Sequence, residues 1–333
     1  MTANSSAHDP RIVVIGGGTG LSTMLRGLKK HTGDLTAIVT MADDGGGSGV
    51  LRSELGMPPP GDIRNCIQAL ANTEPTMEAL LAYRFTEGSL KGQSFGNLFL
   101  AALNGIYDSF ETAVQKMGEV LAITGRVLPV TDTDVRLTAE FDDGSFVHGE
   151  SHIQHAKKDG DKRIRRVFLQ PENPHALPES LQAIERAEML ILGPGSLYTS
   201  IIPNLLVPGI ARAIRESDAL RVYVLNIMTQ DGETEGYTAS DHVQALFSHG
   251  GGQLFDHCLA NSAPVPAELL EKYAGEGAAP TVVDAAELRR LGVQTVCAPI
   301  ADTARSLARH DPDALAAELI RIFREYSPTR IYH

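Results

Sequence analysis

The chain is poor in several of the residues that usually announce a function. It carries only three cysteines in 333 residues, Cys66, Cys258 and Cys297. They are odd in number and far apart, which argues against both a secreted disulfide framework and a close-spaced metal signature. Each sits in an apolar neighbourhood and reads as buried filler. No apolar run reaches membrane-spanning length, so membrane insertion is not expected. Residues 1–10 lack the basic start and apolar stretch of a signal peptide and read as a disordered tail, which makes the cytoplasm the expected compartment. Lysine and arginine number 29 against 41 acids, a formal net charge of −12. That balance argues against a broad nucleic-acid face but leaves room for a local basic pocket. No coiled coil or internal repeat forces assembly, and no histidine is placed where a Ser-His-Asp arrangement can be argued.

What the chain has instead is glycine at strand ends. Residues 11–15 form a β-branched apolar run that reads as a buried strand. It leads into GGGTG (16–20) and then Leu21, Leu25 and Leu28, spaced for one helix face. Strand, glycine turn and helix start make a phosphate site, with Gly17, Gly18 and Thr19 closest to the anion. The dinucleotide fingerprint fails because Leu21 stands at its last glycine position. The Walker lysine is also missing, since Leu21 and Ser22 occupy the place of Gly-Lys. A nucleotide or phosphorylated ligand therefore fits better than a dehydrogenase cofactor. Residues 35–41 repeat the plan, ending in Asp43-Asp44 and a second glycine run, 45–49, that includes Ser48. Two such turns at consecutive strand ends belong on the carboxyl edge of a parallel sheet.

Three further motifs come after these. PPPGDIRNC (58–66) fixes an extended approach and opens a helix near Asp62, with Arg64 and Asn65 just inside; Asp62 reads as a cap and Arg64 as a salt-bridge partner or a ligand contact. FGNLFLAAL (95–103) places Asn97 at a helix start, either as an N-cap or as a ligand-facing amide. GPGSLYTSIIPNLLVPGI (193–210) is a third phosphate-type turn, with amides around Gly195 and Ser196, hydroxyls from Ser196 and Thr199, and Asn204 at the start of a helix through Ile214.

Together these five ordered motifs resemble the bacterial gluconeogenesis factor family, within the wider superfamily of 2-phospho-L-lactate transferases. The similarity runs from about residue 11 to about residue 324. The resemblance implies a cytoplasmic Rossmann-like core that binds a UDP-sugar and is needed for cell shape and wall synthesis on gluconeogenic carbon sources. It also implies a homodimer, an asparagine near the ligand at Asn204, and no secured reaction in this branch. The transferase relatives move a phospholactyl group with magnesium.

The fold expected is α/β: a Rossmann-like three-layer core with a mostly parallel sheet and a small antiparallel β insertion. Residues 11–126 form the first part of the core and 127–171 the insertion, where 134–141 alternates, Asp142-Asp143-Gly144 turns, and Ile164, Val167 and Leu169 suggest another strand. His148, His152 and His155 fit no standard ligand set and read as surface residues. Lys157, Lys158, Lys162, Arg163, Arg165 and Arg166 read as a solvated loop and strand edge. Residues 172–326 complete the core and 327–333 are a tail. Asn226, Met228, Thr229 and Gln230 end one strand, Asn261 another; His242 reads as a helix-surface residue. The stretch 263–280, rich in proline, glycine and alanine, reads as an arm able to fold over a ligand. Asp311 or Asp313 caps the last helix.

For a nucleotide sugar, the three glycine turns supply amides to the diphosphate without a lysine. Tyr273 on the arm borders the base or is a core tyrosine. Arg309 pairs with a phosphate oxygen or bonds nearby carbonyls. Asp43 and Asp44 suit magnesium, which takes one or two carboxylates with water and phosphate oxygens; alternatively one holds a ribose hydroxyl or caps its turn. The leading expectation is a non-catalytic UDP-sugar sensor that acts on a protein partner in wall synthesis or carbon metabolism. The alternative is a magnesium-dependent transferase acting on a phosphate ester.

Overall fold

The computed structural model describes residues 9–156, 162–304 and 307–326. In chain order the elements begin β1 (Ile12–Gly16), α1 (Gly18–Leu28), β2 (Leu35–Val39), α2 (Gly46–Leu55), α3 (Gly61–Leu70), α4 (Pro75–Ala82), α5 (Phe95–Ile106), α6 (Phe110–Val120) and β3 (Arg126–Pro129). Next come β4 (Arg136–Phe141), β5 (Phe146–His148), α7 (Glu150–Ala156), β6 (Ile164–Gln170), α8 (Pro178–Arg186) and β7 (Met189–Leu192). A π-helical turn (Leu197–Ile201) runs into α9 (Ile202–Leu205), α10 (Ile210–Glu216), β8 (Leu220–Val224), α11 (Ala239–Gly250) and β9 (His257–Asn261). The chain ends with α12 (Ala267–Gly275), α13 (Ala285–Arg290), β10 (Gln294–Ala298), β11 (Ala301–Asp302), β12 (Arg309–His310) and α14 (Pro312–Tyr326).

Seven strands form one sheet in the order β10-β9-β8-β7-β1-β2-β3, and every pair in it is parallel. Strands β1, β2 and β7 are buried along their whole length, as continuous apolar runs covered on both faces must be. One helix layer packs α1 between α3 and α14; the other joins α8, α9, α10, α11 and α13. In α1 the buried residues Leu21, Met24, Leu25 and Leu28 keep helical spacing on one face, each contributing about 1.5–3 kcal/mol relative to exposure. Gly27 lets α14 close in, since a Cβ there would lie 1.9 Å from the Pro312 carbonyl oxygen. The result is the three-layer α/β core.

The chain leaves β1 for β2 and β3, then returns to β7 on the other side. The sheet order therefore reverses between β1 and β7, and in open parallel sheets that is where the crevice for a ligand opens. Inserted after β3 is an antiparallel sheet, β5-β4-β6, with Leu137, Ala139 and Phe141 buried beneath it.

Several local expectations need correction. Residues 127–129, counted with the insertion, belong to β3 and pair with β2 in the main sheet. A four-residue edge strand ending in proline has too little alternation to stand apart from the insertion next to it. The arm 263–280 contains the helix α12. His242 is fully buried, with its Nδ1 donating to the Thr238 carbonyl, 2.8 Å. Cys66 and Cys258 are buried as expected, but Cys297 is exposed on the edge strand β10. The helix through Ile214 is two helices, α9 and α10, meeting at 77° if the π turn is counted with α9. Among the described residues no single helix is long and apolar enough to cross a membrane. Residues 1–8, 157–161, 305–306 and 327–333 lie outside the described residues, and with them most of the N-terminal tail, the whole C-terminal tail, and Lys157 and Lys158 of the basic stretch.

Candidate functional site

The first and third glycine bends lie against each other at the switch point. A Cβ on Gly20 would sit 2.5 Å from the Pro194 carbonyl oxygen, and one on Gly195 would sit 3.1 Å from the Gly17 carbonyl oxygen. Gly17 is extended, while Gly18 has φ +68°, which a side chain would strain. Asn204 fastens the pair from below and does not cap a helix. Its Nδ2 donates to the carbonyls of Gly16 (3.2 Å), Ser200 (2.8 Å) and Ile201 (3.3 Å). The side chain is fully buried, and its Oδ1 has no partner.

The second bend joins through a carboxylate. Asp62, in the first turn of α3, accepts the Gly18 N–H, and a Cβ on Gly17 would lie 2.6 Å from its Oδ2. Asp43 accepts the Gly45 N–H at 2.9 Å and a bond from Ser48. Gly61 provides the room: a Cβ there would meet Ser48 Oγ at 2.5 Å and Asp43 Oδ2 at 2.7 Å. Asp44 turns outward to the insertion, where Oδ2 accepts the Glu150 N–H (3.1 Å) and Oδ1 the Ser151 N–H (2.9 Å). It thus caps α7 across more than a hundred residues of chain.

The third bend is also held by protein groups. Gly195 donates to Asn226 Oδ1 (3.2 Å) and accepts from Asn226 Nδ2 (2.7 Å), and Ser196 Oγ donates to Gln230 Oε1 (2.8 Å). Glu233, 1% exposed, accepts the Tyr198 N–H (3.1 Å) and the Thr199 hydroxyl (2.7 Å). Each bend therefore carries a carboxylate at its amides: Asp62, Asp43 and Glu233 in turn.

These acids act on one another. Glu150 is pushed up to about 8, first by burial and then by the charges of Asp43, Glu233, Asp44 and Asp62. Burial, then Asp43, raises Asp62 to about 7; it lies at the cleft floor, enclosed by protein but still touched by solvent. Asp43 is raised by burial, against the bonds from Gly45 and Ser48 that hold it down. A cleft with this charge takes up protons or a cation before it takes an anion.

As a metal centre the arrangement is incomplete from protein groups alone. Among the described residues no set of three or more histidine, cysteine or acidic side chains has metal-holding geometry. Both oxygens of Asp44 are occupied on α7, so Asp43 and Asp62 are the pair that a magnesium ion completed by water and phosphate oxygens would use.

The remaining predicted residues scatter around this floor. Asn97 is buried in α5, where its N–H donates to the true cap, Ser94, and its Oδ1 accepts from Arg64 Nε at 3.2 Å. Tyr273 packs in α12 with Ile227, Met228 and Leu269, and its hydroxyl accepts the Ala308 N–H at 3.1 Å. It braces the backbone next to Arg309. Arg309 is exposed and lines a cavity of about 250 Å³ with Thr19, Gly195, Ser196 and Gln230. Asp311 caps α14 by accepting from Asp313 and Ala314. Glu150, Glu233 and Asn226 in its clamping role went unseen in the sequence. Glu150 comes after a short strand with no pattern of its own, and Glu233 sits in a polar stretch without periodicity.

With that geometry in place, the chain matches the 2-phospho-L-lactate transferase CofD family over residues 12–301. The gluconeogenesis factor of Bacillus subtilis is 48% identical over 95% of this chain and 99% of its own length. That of Halalkalibacterium halodurans is 50% identical over 86% of this chain and 88% of its own. The chain belongs to the gluconeogenesis factor family. A crystal structure of a Bacillus halodurans protein superposes with a TM-score of 0.91 at 46% identity, covering 94% of this chain and all of that one. The gluconeogenesis factor fold thus extends over nearly the whole sequence, and the three bends of the switch-point cleft lie within the part matched to the transferase family, while Arg309 lies beyond it.

Proposed function

We propose that the switch-point cleft binds a nucleoside diphosphate sugar of the UDP-N-acetylglucosamine type. On this reading occupancy changes the affinity of the chain for a protein partner, and so regulates cell shape and wall synthesis during gluconeogenic growth. The observation that carries it is the convergence of the bends: the first touches the third, and Asp62 links the first to the second. The cavity bounded by Thr19, Ser196 and Arg309 opens beside them, with the Arg309 guanidinium available to a phosphate oxygen.

A second reading is transfer from a phosphate ester with magnesium, and the comparisons support it more directly, because the matched family is named for a transferase. The carboxylates favour it as well, since a diphosphate beside Asp43, Asp62 and Glu150 calls for a cation between them. Magnesium, when bound, would supply charge neutralisation at the leaving diphosphate. Asp43 and Asp62 would hold it, and the bend amides would orient the ester.

Calorimetry with UDP-N-acetylglucosamine, with and without magnesium, tests the first reading; no binding below millimolar concentration overturns it. Long incubation with magnesium and a nucleotide-activated phosphate ester tests the second. Unchanged substrate in a sample that still binds nucleotide overturns transfer and leaves the sensor.

A further inference from the structure

At the β3 edge of the sheet a second cavity, of about 390 Å³, lies between α6 and α8. Its floor is apolar, built from Val114, Ile123, Val127 and Leu128, and its rim carries Glu111, Glu119 and Glu179. Among the described residues neither Glu111 nor Glu179 carries an ion pair. The rim's third acid, Glu119, is already bonded to Lys116 at 2.7 Å. The cavity's arginine, Arg126, is turned to Thr36, its Nε donating to Oγ1 at 2.9 Å. Glu111 is pushed up by burial and then by the charges of Glu179 and Asp132, both acids, so no cation offsets it. The strand edge adds polar groups. Val130 donates to β2 at Val39, and the Pro129 carbonyl points the other way, to Ser180 Oγ. By alternation the N–H and C=O of Val127 also point away from β2, into the cavity.

We propose that this cavity binds a primary ammonium or guanidinium group on an aliphatic stem. The stem lies against Val114, Ile123 and Leu128, and the cation sits between Glu111 and Glu179, with Val127 offering a backbone carbonyl. A long side chain of this kind keeps its methylenes on apolar surface and its charge at a polar rim. Two sources carry that chemistry: a free polyamine, and a lysine or arginine side chain of a partner protein. The site shares no lining residue with the carboxyl-edge cleft and does not depend on what that cleft binds.

The test is calorimetry on the full chain with spermidine and, separately, with an acetylated peptide of alternating lysine and glycine. At least one probe binds, and the double variant Glu111→Gln, Glu179→Gln weakens it about tenfold or more. The control double variant Glu271→Gln, Glu276→Gln makes the same charge change on exposed positions around α12 and leaves binding intact. Binding of spermidine alone assigns the site to polyamines; binding of the peptide assigns it to a protein side chain. No binding of either probe at ~1 mM, or equal loss in both double variants, overturns the proposal. If the rim variant does not fold, Ile123→Phe, which grows into the cavity from its half-buried wall, decides: undiminished binding overturns the proposal.

Discussion

Replacing Gly20 by alanine measures how tightly the first and third bends are locked. Gly20 lies in the first turn of α1 at an ordinary φ, so alanine there gains helix propensity, up to about 1 kcal/mol. Against this, the new methyl would stand 2.5 Å from the Pro194 carbonyl oxygen and 2.8 Å from its carbon, both backbone atoms. Ordinary contact begins at 3.4 Å, so the bends must part by about 0.9 Å. Overpacking of that kind costs about 1–3 kcal/mol. Even with the full helix gain set against it, the net expectation is a loss of up to about 2 kcal/mol, with weaker binding at the cleft. Gly105→Ala is the internal control: it is helical, exposed and has no atom within 4 Å, so it gains up to about 1 kcal/mol. Urea titrations at constant m separate the two. A Gly20→Ala chain as stable as Gly105→Ala, with undiminished ligand affinity, would refute the claim that contact between these bends shapes the site.

Three other outcomes rest on the same geometry. Asp62 and Glu150 keep their protons to about pH 7 and 8 in the folded chain, whereas unfolded carboxyls lose theirs near pH 4. The folded state binds the extra protons, so ligand-free stability falls as pH rises from about 4 to 8, by up to about 1.4 kcal/mol per pH unit per proton. Denaturation midpoints across that range check this, and Asp62→Asn flattens the slope. Asp44→Asn keeps one acceptor for α7 but points an amide at a second N–H. It therefore costs about 0.5–2 kcal/mol, and hydrogen exchange rises in Glu150–Ala156 before elsewhere. Arg52 is 6% exposed and bonds the carbonyls of Asp43 and Val135 and the carboxylate of Asp134, tying the second bend to the insertion. Asp134 is 64% exposed and keeps its solvation, but Arg52→Ala also removes a cation that helps hold the enclosed Asp43 carboxyl down; the loss is about 1–3 kcal/mol, read by urea denaturation.

How much of this was legible in the sequence depended on how locally each feature is determined. The run through β1 into α1 is set by neighbours in sequence: apolar residues for a doubly covered strand, glycines for the turn, and leucines at helical spacing. The hairpin β4–β5 announced itself by alternation and by the turn residues Asp142-Asp143-Gly144, and Gly144 takes φ +80° there. Features that depend on distant partners were not legible. Asn204 resembled a helix cap because it comes after a proline, but its amide is consumed by Gly16, some 190 residues earlier in the chain. Asn97 stands at a helix start, the usual place of a cap, yet Ser94 three residues earlier takes that role and frees Asn97 for Arg64. The stretch 263–280 reads as an arm because prolines and glycines flank it, but 267–274 is a run of alanine, glutamate, leucine and lysine that favours a helix, and Leu269 and Tyr273 pack that helix on Ile227 and Met228.

The carboxylates bear on what an incoming ligand must do. Glycine bends at strand ends present amides to an anion, and here Asp62, Asp43 and Glu233 already occupy that role. Such internal bonds keep the bends ordered without a ligand, since buried amides left unpaired would each cost about 1–3 kcal/mol. They also set a condition on binding. A diphosphate entering the cleft must either displace Asp62 from the Gly18 N–H or share the cleft with it through a proton or a cation. Displacement is the harder route, because Asp62 is wedged against Gly17 and a carboxylate moved off its donor remains enclosed beside Asp43. Proton or cation uptake on binding is therefore built into the site. Ligand affinity should fall as pH rises past the range in which Asp62 and Glu150 lose their protons, unless magnesium is supplied, and magnesium should abolish that pH dependence.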